Sequence, residues 1–114
     1  MKIQLFQFHV AYGNTEENET KITNWFNEYI DDDTNVVVLP EMWNNGYALE
    51  ELEDKADISL KRSFPFISQL AKEFNVDIVA GSVSNIKNEN VYNTAFSINK
   101  DGELILSLIH ISEP

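Results

Sequence analysis

The most constraining feature of this chain is a continuous apolar run within Asn35 to Leu39, closed by Pro40 and followed at once by Glu41. A strand that is apolar without alternation needs cover on both faces, which is the situation of a parallel sheet flanked by other layers. Proline has no N–H to give to a ladder, so Pro40 ends the strand and fixes the backbone beyond it. A carboxylate immediately past the carboxyl end of a buried strand lies where open α/β sheets hold their ligands. Glu41 is therefore a candidate site residue, although a polar loop residue after a strand accounts for its position equally well.

The neighbouring segments build a sheet around that strand. Residues 3 to 10 (IQLFQFHV) hold β-branched and aromatic types with no Gly or Pro, and read as a first strand covered on both faces. Asn14 followed by Glu17 has the form of a helix-starting capping box. Ile22, Trp25, Phe26, Tyr29 and Ile30 then form one helical stripe, with Asn18, Lys21, Asn24, Asn27 and Glu28 expected on the wet side. Asp31, Asp32 and Asp33 close this helix unfavourably, because carboxylates there meet the negative end of the dipole. The charged stretch Glu50 to Asp57 is expected to form a solvated helical turn or lid. Phe64, Ile67, Leu70, Ala71 and Phe74 repeat the stripe in a second helix, with Pro65 tolerable only in its first turn. Val76 to Ala80 reads as a strand ending at Gly81, Val91 to Ile98 as another, and Lys100-Asp101-Gly102 as a turn into a last run, Leu104 to Ile109. The order β-α-β-loop-α-β-β-β argues an α/β fold whose sheet starts parallel and gains antiparallel pairing at its end. Only two helices are available, and both are expected on the same side, so one sheet face lacks cover from this chain.

Composition removes several function classes. The 114 residues carry 8 Lys+Arg against 19 Asp+Glu, a net charge of −11. Proteins that track phosphates cluster Lys and Arg, so neither a nucleic acid nor an anionic membrane is an expected partner. No apolar run reaches the roughly 18 residues of a membrane span, and the first residues do not form a secretory signal, so a cytoplasmic location is expected. With no cysteine, the chain supplies no disulfide, thiolate metal site or thiol nucleophile. No metal and no cofactor are expected. His9 has no second His or carboxylate at metal spacing and reads as a strand histidine.

The segment LPEMWNNGY after a buried strand, preceded by QFHVAYGN and followed by VDIVAGS and YNTAFSINKDGEL, resembles the amino-terminal part of the carbon–nitrogen hydrolases, the nitrilase superfamily. The form of the Glu41 segment is most similar to the branch acting on short ω-amides such as 2-oxoglutaramate. The resemblance implies the amino-terminal half of a four-layer α-β-β-α sandwich, incomplete in this chain, with the carboxyl half supplying the second sheet. It further implies a small amide substrate, a homodimer in the complete protein, and a Glu-Lys-Cys triad. In that triad Glu takes the thiol proton, the thiolate attacks the amide carbonyl, and Lys stabilises the oxyanion and the departing amine. Glu41 matches the general base. The Lys and the Cys are absent: an ungapped reading brings His110 to the Lys position, and a neutral imidazole does not supply a fixed positive charge. The chain as given is therefore expected to be inactive.

The resemblance covers residues 1–105. The tail, residues 106–114, departs from the family pattern, and SLIHISEP is expected to arise from translated sequencing-adapter DNA or from a frameshift. Three further residues have open assignments. Trp43 and Tyr47 either wall a substrate pocket beside Glu41 or pack the loop. Asn93 resembles a position where the family places an active-site or supporting Asn, and a strand Asn paired with a neighbouring loop serves equally well. The alternative function is a small acidic α/β binding or regulatory module without catalysis. Against it, Gly13 stands alone, with no glycine-rich phosphate loop after the first strand.

Overall fold

In the computed structural model the described residues are 1–8, 10–11, 14–40, 43–44, 57–58, 60–87 and 90–111, with backbone only for 57–58, 84–87, 90–93 and 106–111. Their elements follow in chain order as β1 (Ile3–Leu5), α1 (Thr15–Tyr29), β2 (Val36–Val38), β3 (Asp57–Ile58), α2 (Ser63–Phe74), β4 (Asp77–Lys87), β5 (Asn90–Ile98) and β6 (Leu104–Ile111). They form one six-stranded sheet in the order β1-β2-β4-β5-β6, with β3 pairing β4 beside this path. The pairs β1–β2 and β2–β4 are parallel, whereas β4–β5 and β5–β6 are antiparallel. This is the parallel start and antiparallel end that the element order implies.

The first strand is shorter than its apolar run, ending at Leu5, but Phe6 still hydrogen-bonds through its N–H to Val38 O at 3.0 Å. Helix α1 starts where the capping box places it: Asn14 is the N-cap, and its side-chain oxygen accepts from the Glu17 N–H at 3.0 Å. Two of the three aspartates after α1 are offset by Lys2, whose ammonium pairs with Asp31 and, at 3.2 Å, with Asp33. Asp31 first, then Asp33, holds that ammonium above its ordinary range. Helix α2 carries Pro65 in its first turn, and its C-cap Asn75 takes the left-handed conformation at φ 56°.

Further sequence expectations change. Strand β4 does not end at Gly81 but runs through it to Lys87, because Gly81 takes φ +65° and the pairing with β5 shifts register between Val79 and Ser82. A glycine at positive φ inside a strand makes a bulge, which re-aims the strand without breaking it. Tyr29, expected on the buried stripe, is 53% exposed at the last turn of α1. Strand β6 runs to Ile111, paired with β5 along its length.

Strands β1, β2 and β4 advance across the sheet in one direction, and right-handed crossovers then put both intervening helices on one face. The two helices pack on each other there: the Phe26 and Phe74 rings lie 5.4 Å apart, and Arg62 makes a two-point ion pair with Glu19 at 2.8 and 3.0 Å. Under them lies the core of Ile22, Phe26, Val37, Ile67, Ile78 and Ile98. Phe6 extends it by stacking on Trp25 with ring centroids 4.3 Å apart. On the opposite face the registered row Leu5, Val38, Val79 leaves Leu5 69% and Val79 42% exposed. Among the described side chains, helices cover one sheet face, and the row Leu5, Val38, Val79 leaves the other apolar and open across β1, β2 and the start of β4.

Candidate functional site

The carboxyl ends of β1, β2 and the parallel part of β4 meet where the chain passes from Leu39 through Pro40 toward Trp43. Glu41 and Tyr47 lie outside the described residues. Both flanks of Glu41 are described, and both are tied to β4. On the near side the Leu39 N–H donates to Val79 O at 2.9 Å, and on the far side the Trp43 N–H donates to Ser82 O at 3.1 Å. Between those two acceptors, Ala80 O accepts the Trp43 indole N–H at 2.7 Å. Three carbonyls around the β4 bulge, those of Val79, Ala80 and Ser82, thus hold the segment that carries Glu41.

Gly81 is what permits the approach. A Cβ at that position would stand 2.2 Å from Pro40 O and 2.5 Å from Leu39 O, well inside contact distance, and its φ of +65° is itself a glycine conformation. The Leu39–Pro40 backbone therefore presses directly on the bulge, and the exit direction of the chain after β2 is set by backbone against backbone.

Trp43 has two open assignments, pocket wall or loop packing. It is fully buried, its ring 5.7 Å from that of Phe66 on α2, and its one donor is used on Ala80. These contacts suit loop packing: a buried Trp brings large apolar area and needs one partner for its N–H, and both needs are met inside. Asn93 occupies β5 opposite Ser84 of β4 and His110 of β6; its side chain lies outside the described residues.

Sequence reasoning missed Asn18. Expected on the wet side of α1, it is fully buried and meets two loops at once. Its Nδ2 donates to Ala11 O at 2.8 Å and to Asn44 O at 3.0 Å, and its Oδ1 accepts from the Ala11 N–H at 2.7 Å. Asn44 is itself 1% exposed. The signal was spacing: Asn18 stands one helical turn before Ile22 on the buried stripe, and only its polarity argued for solvent.

Among the described residues, cavities lie at both ends of the parallel strands. A recess of about 120 Å³ lies at the carboxyl ends of β1 and β2, lined by Leu5, Phe6, Gln7, Val38, Leu39 and Pro40. A larger one, about 470 Å³, lies at the amino ends of the strands, among Asp32, Asp33, Asn35, Asp77 and Lys100. In parallel α/β sheets ligands bind outside the carboxyl ends, so the smaller recess is the one placed for chemistry. Among the described residues no group of three His, Cys, Asp or Glu gathers to hold a metal ion, and no helix is long and apolar enough to cross a membrane.

The geometry is that of a parallel-led α/β sheet with a braced loop after its second strand, and comparison with known proteins gives it a family. The description Carbon-nitrogen hydrolase matches residues 2–112. The chain belongs to the carbon–nitrogen hydrolase family. It is 56% identical over 105 residues to the Hydrolase in agr operon of Staphylococcus aureus, covering 92% of this chain and 40% of that protein. It is 39% identical over 103 residues to the 2-oxoglutaramate amidase of Bacillus subtilis, covering 90% and 39%. Among solved structures it is similar to Nit3 of Saccharomyces cerevisiae, a member of branch 10 of the nitrilase superfamily, with a TM-score of 0.77 and 29% identity over 96% of this chain and 43% of that one. The chain spans about two fifths of the length of the curated relatives it matches.

Proposed function

We propose that residues 1–114 are the general-base segment of an amidase that hydrolyses small linear ω-amides, with Glu41 as the base. The observation that carries this reading is the bracing on both sides of Glu41: Leu39 and Trp43 are fixed to Val79, Ala80 and Ser82 of β4 at the carboxyl end of the parallel strands. Catalytic carboxylates need this kind of fixed presentation, because a misplacement of about 1 Å can cost roughly 100-fold in rate. The identity to a 2-oxoglutaramate amidase supports the substrate class.

In the full-length protein Glu41 accepts the proton of a cysteine thiol, and the thiolate attacks the amide carbonyl to give a tetrahedral oxyanion. A lysine stabilises that oxyanion, Glu41 returns its proton to the amide nitrogen so that ammonia leaves, and water then hydrolyses the thioester to the acid and restores the thiol. The 114 residues contain no cysteine, so the covalent step needs a nucleophile from further chain. The recess that the described residues form beside Pro40, about 120 Å³, is below the roughly 300–1,000 Å³ of small-molecule pockets, and in this reading other residues complete its walls. The open face bearing Leu5 and Val79 is where a second sheet packs in this reading.

The test is ammonia release from 2-oxoglutaramate by the full-length protein. Wild type is expected to turn over, residues 1–114 alone are expected not to, and Glu41→Gln is expected to lower kcat by at least about 100-fold with the fold intact. Turnover by Glu41→Gln at the wild-type rate would remove Glu41 as the base.

A further inference from the structure

The Leu39 and Trp43 ties hold the Glu41 segment to β4, but they do not set the loop's position relative to the first strand. Asn18 does. Its side chain is fully buried in the second turn of α1 and carries three hydrogen bonds, all to backbone: two close a ring with the N–H and C=O of Ala11, and the third reaches Asn44 O. Ala11 belongs to the segment joining β1 to α1, and Asn44 to the loop after β2, so one amide joins the exits of two adjacent parallel strands. The orientation of the amide is fixed by its partners, since two carbonyls require the NH2 and one N–H requires the oxygen.

We infer that Asn18 is a positioning residue for Glu41: the Asn18 amide latches the loop after β2 to the turn after β1, and so sets the reach of the Glu41 carboxylate. The inference rests on the reading of Glu41 as the base. Other residue types fit the site poorly. An aspartate of the same shape keeps the acceptor for Ala11 N–H but faces two carbonyls with no donor, and a serine is too short to span both loops. The helix needs no such residue for itself, because its start is already capped by Asn14.

The experiment compares wild type, Asn18→Asp and Asn18→Ser in the full-length protein, with kinetics on 2-oxoglutaramate and amide hydrogen exchange at Trp43 and Asn44. The expected result is a fall in kcat of about 10- to 100-fold with KM within about twofold, a displaced acid limb of the kcat/KM pH profile, and at least about tenfold loss of protection at Trp43 and Asn44, while Ile22 and Phe26 keep theirs. Retained kcat with an active wild type overturns the latch and leaves the Glu41 reading standing. Loss of protection at Ile22 and Phe26 in both variants assigns Asn18 to general stability and overturns the positioning role. If wild type itself releases no ammonia, the Glu41 reading fails separately, and exchange decides the latch: unchanged protection at Trp43 and Asn44 overturns it.

Discussion

The two ends of the parallel strands are held together by different physics. At the amino end an exposed, charged tie is added to neutral ones such as the Lys2 N–H to Asn35 Oδ1 bond at 2.8 Å: the Lys2 ammonium reaches Asp31 and Asp33, whose side chains are 55% and 76% exposed, beside the wide acidic cavity. At the carboxyl end the ties are neutral and dry: Trp43 to Ala80 and Ser82, Asn18 to Ala11 and Asn44, all with the donor residue fully buried. Exposed ion pairs contribute little and let their partners exchange, whereas a buried neutral hydrogen bond costs its full desolvation when broken. The difference teaches which end can hold a reacting group still, and it is the end with the smaller recess.

The comparison is broken most forcefully at Gly81. Gly81→Val brings a Cβ to 2.2 Å from Pro40 O at a φ of +65°, and is expected to cost about 3 kcal/mol or more, read by urea unfolding of the full-length protein. Trp43→Phe keeps most of the apolar volume but leaves Ala80 O without its donor, so a loss of about 1–3 kcal/mol is expected in the same assay. Asn14→Ala removes the cap of α1 and is expected to lose about 1 kcal/mol.

The amino end is expected to give the smallest effect. The Lys2 ammonium is held above its ordinary value of 10.5, so its contribution is fully present below that value and is lost as pH rises through the higher folded-state value. Wild type and Lys2→Gln are therefore expected to differ slightly in Tm near pH 8, and to converge in strongly alkaline buffer or high salt. A large, salt-insensitive loss at pH 8 would erase the contrast between the two ends.

Much of this architecture was legible in the sequence, for reasons that also explain the misses. The run before Pro40 announced a buried parallel strand because no alternation was present, and Asn14 with Glu17 announced the start of α1 because capping is local. The bare sheet face followed from counting helices. The β4 bulge was hidden, because a glycine after a short strand reads as a terminator; that Gly81 continues the strand depends on Pro40 pressing on it, a contact between segments about forty residues apart. Asn18 was hidden because polarity was weighed above spacing, and its partners, Ala11 and Asn44, have no signature as acceptors. Loop packing of Trp43 was one of two open readings, and its burial and indole bond to Ala80 agree with that one.

The most direct measurement pairs one substitution at each end. Glu41→Gln and Asp77→Asn each remove one negative charge, the second beside the acidic cavity, where the amide oxygen can still accept from the Lys100 N–H. Ammonia release from 2-oxoglutaramate by the full-length protein should fall at least about 100-fold in Glu41→Gln and stay within about twofold of wild type in Asp77→Asn. Equal losses in both, or full activity in Glu41→Gln, would contradict the assignment of chemistry to the braced carboxyl end.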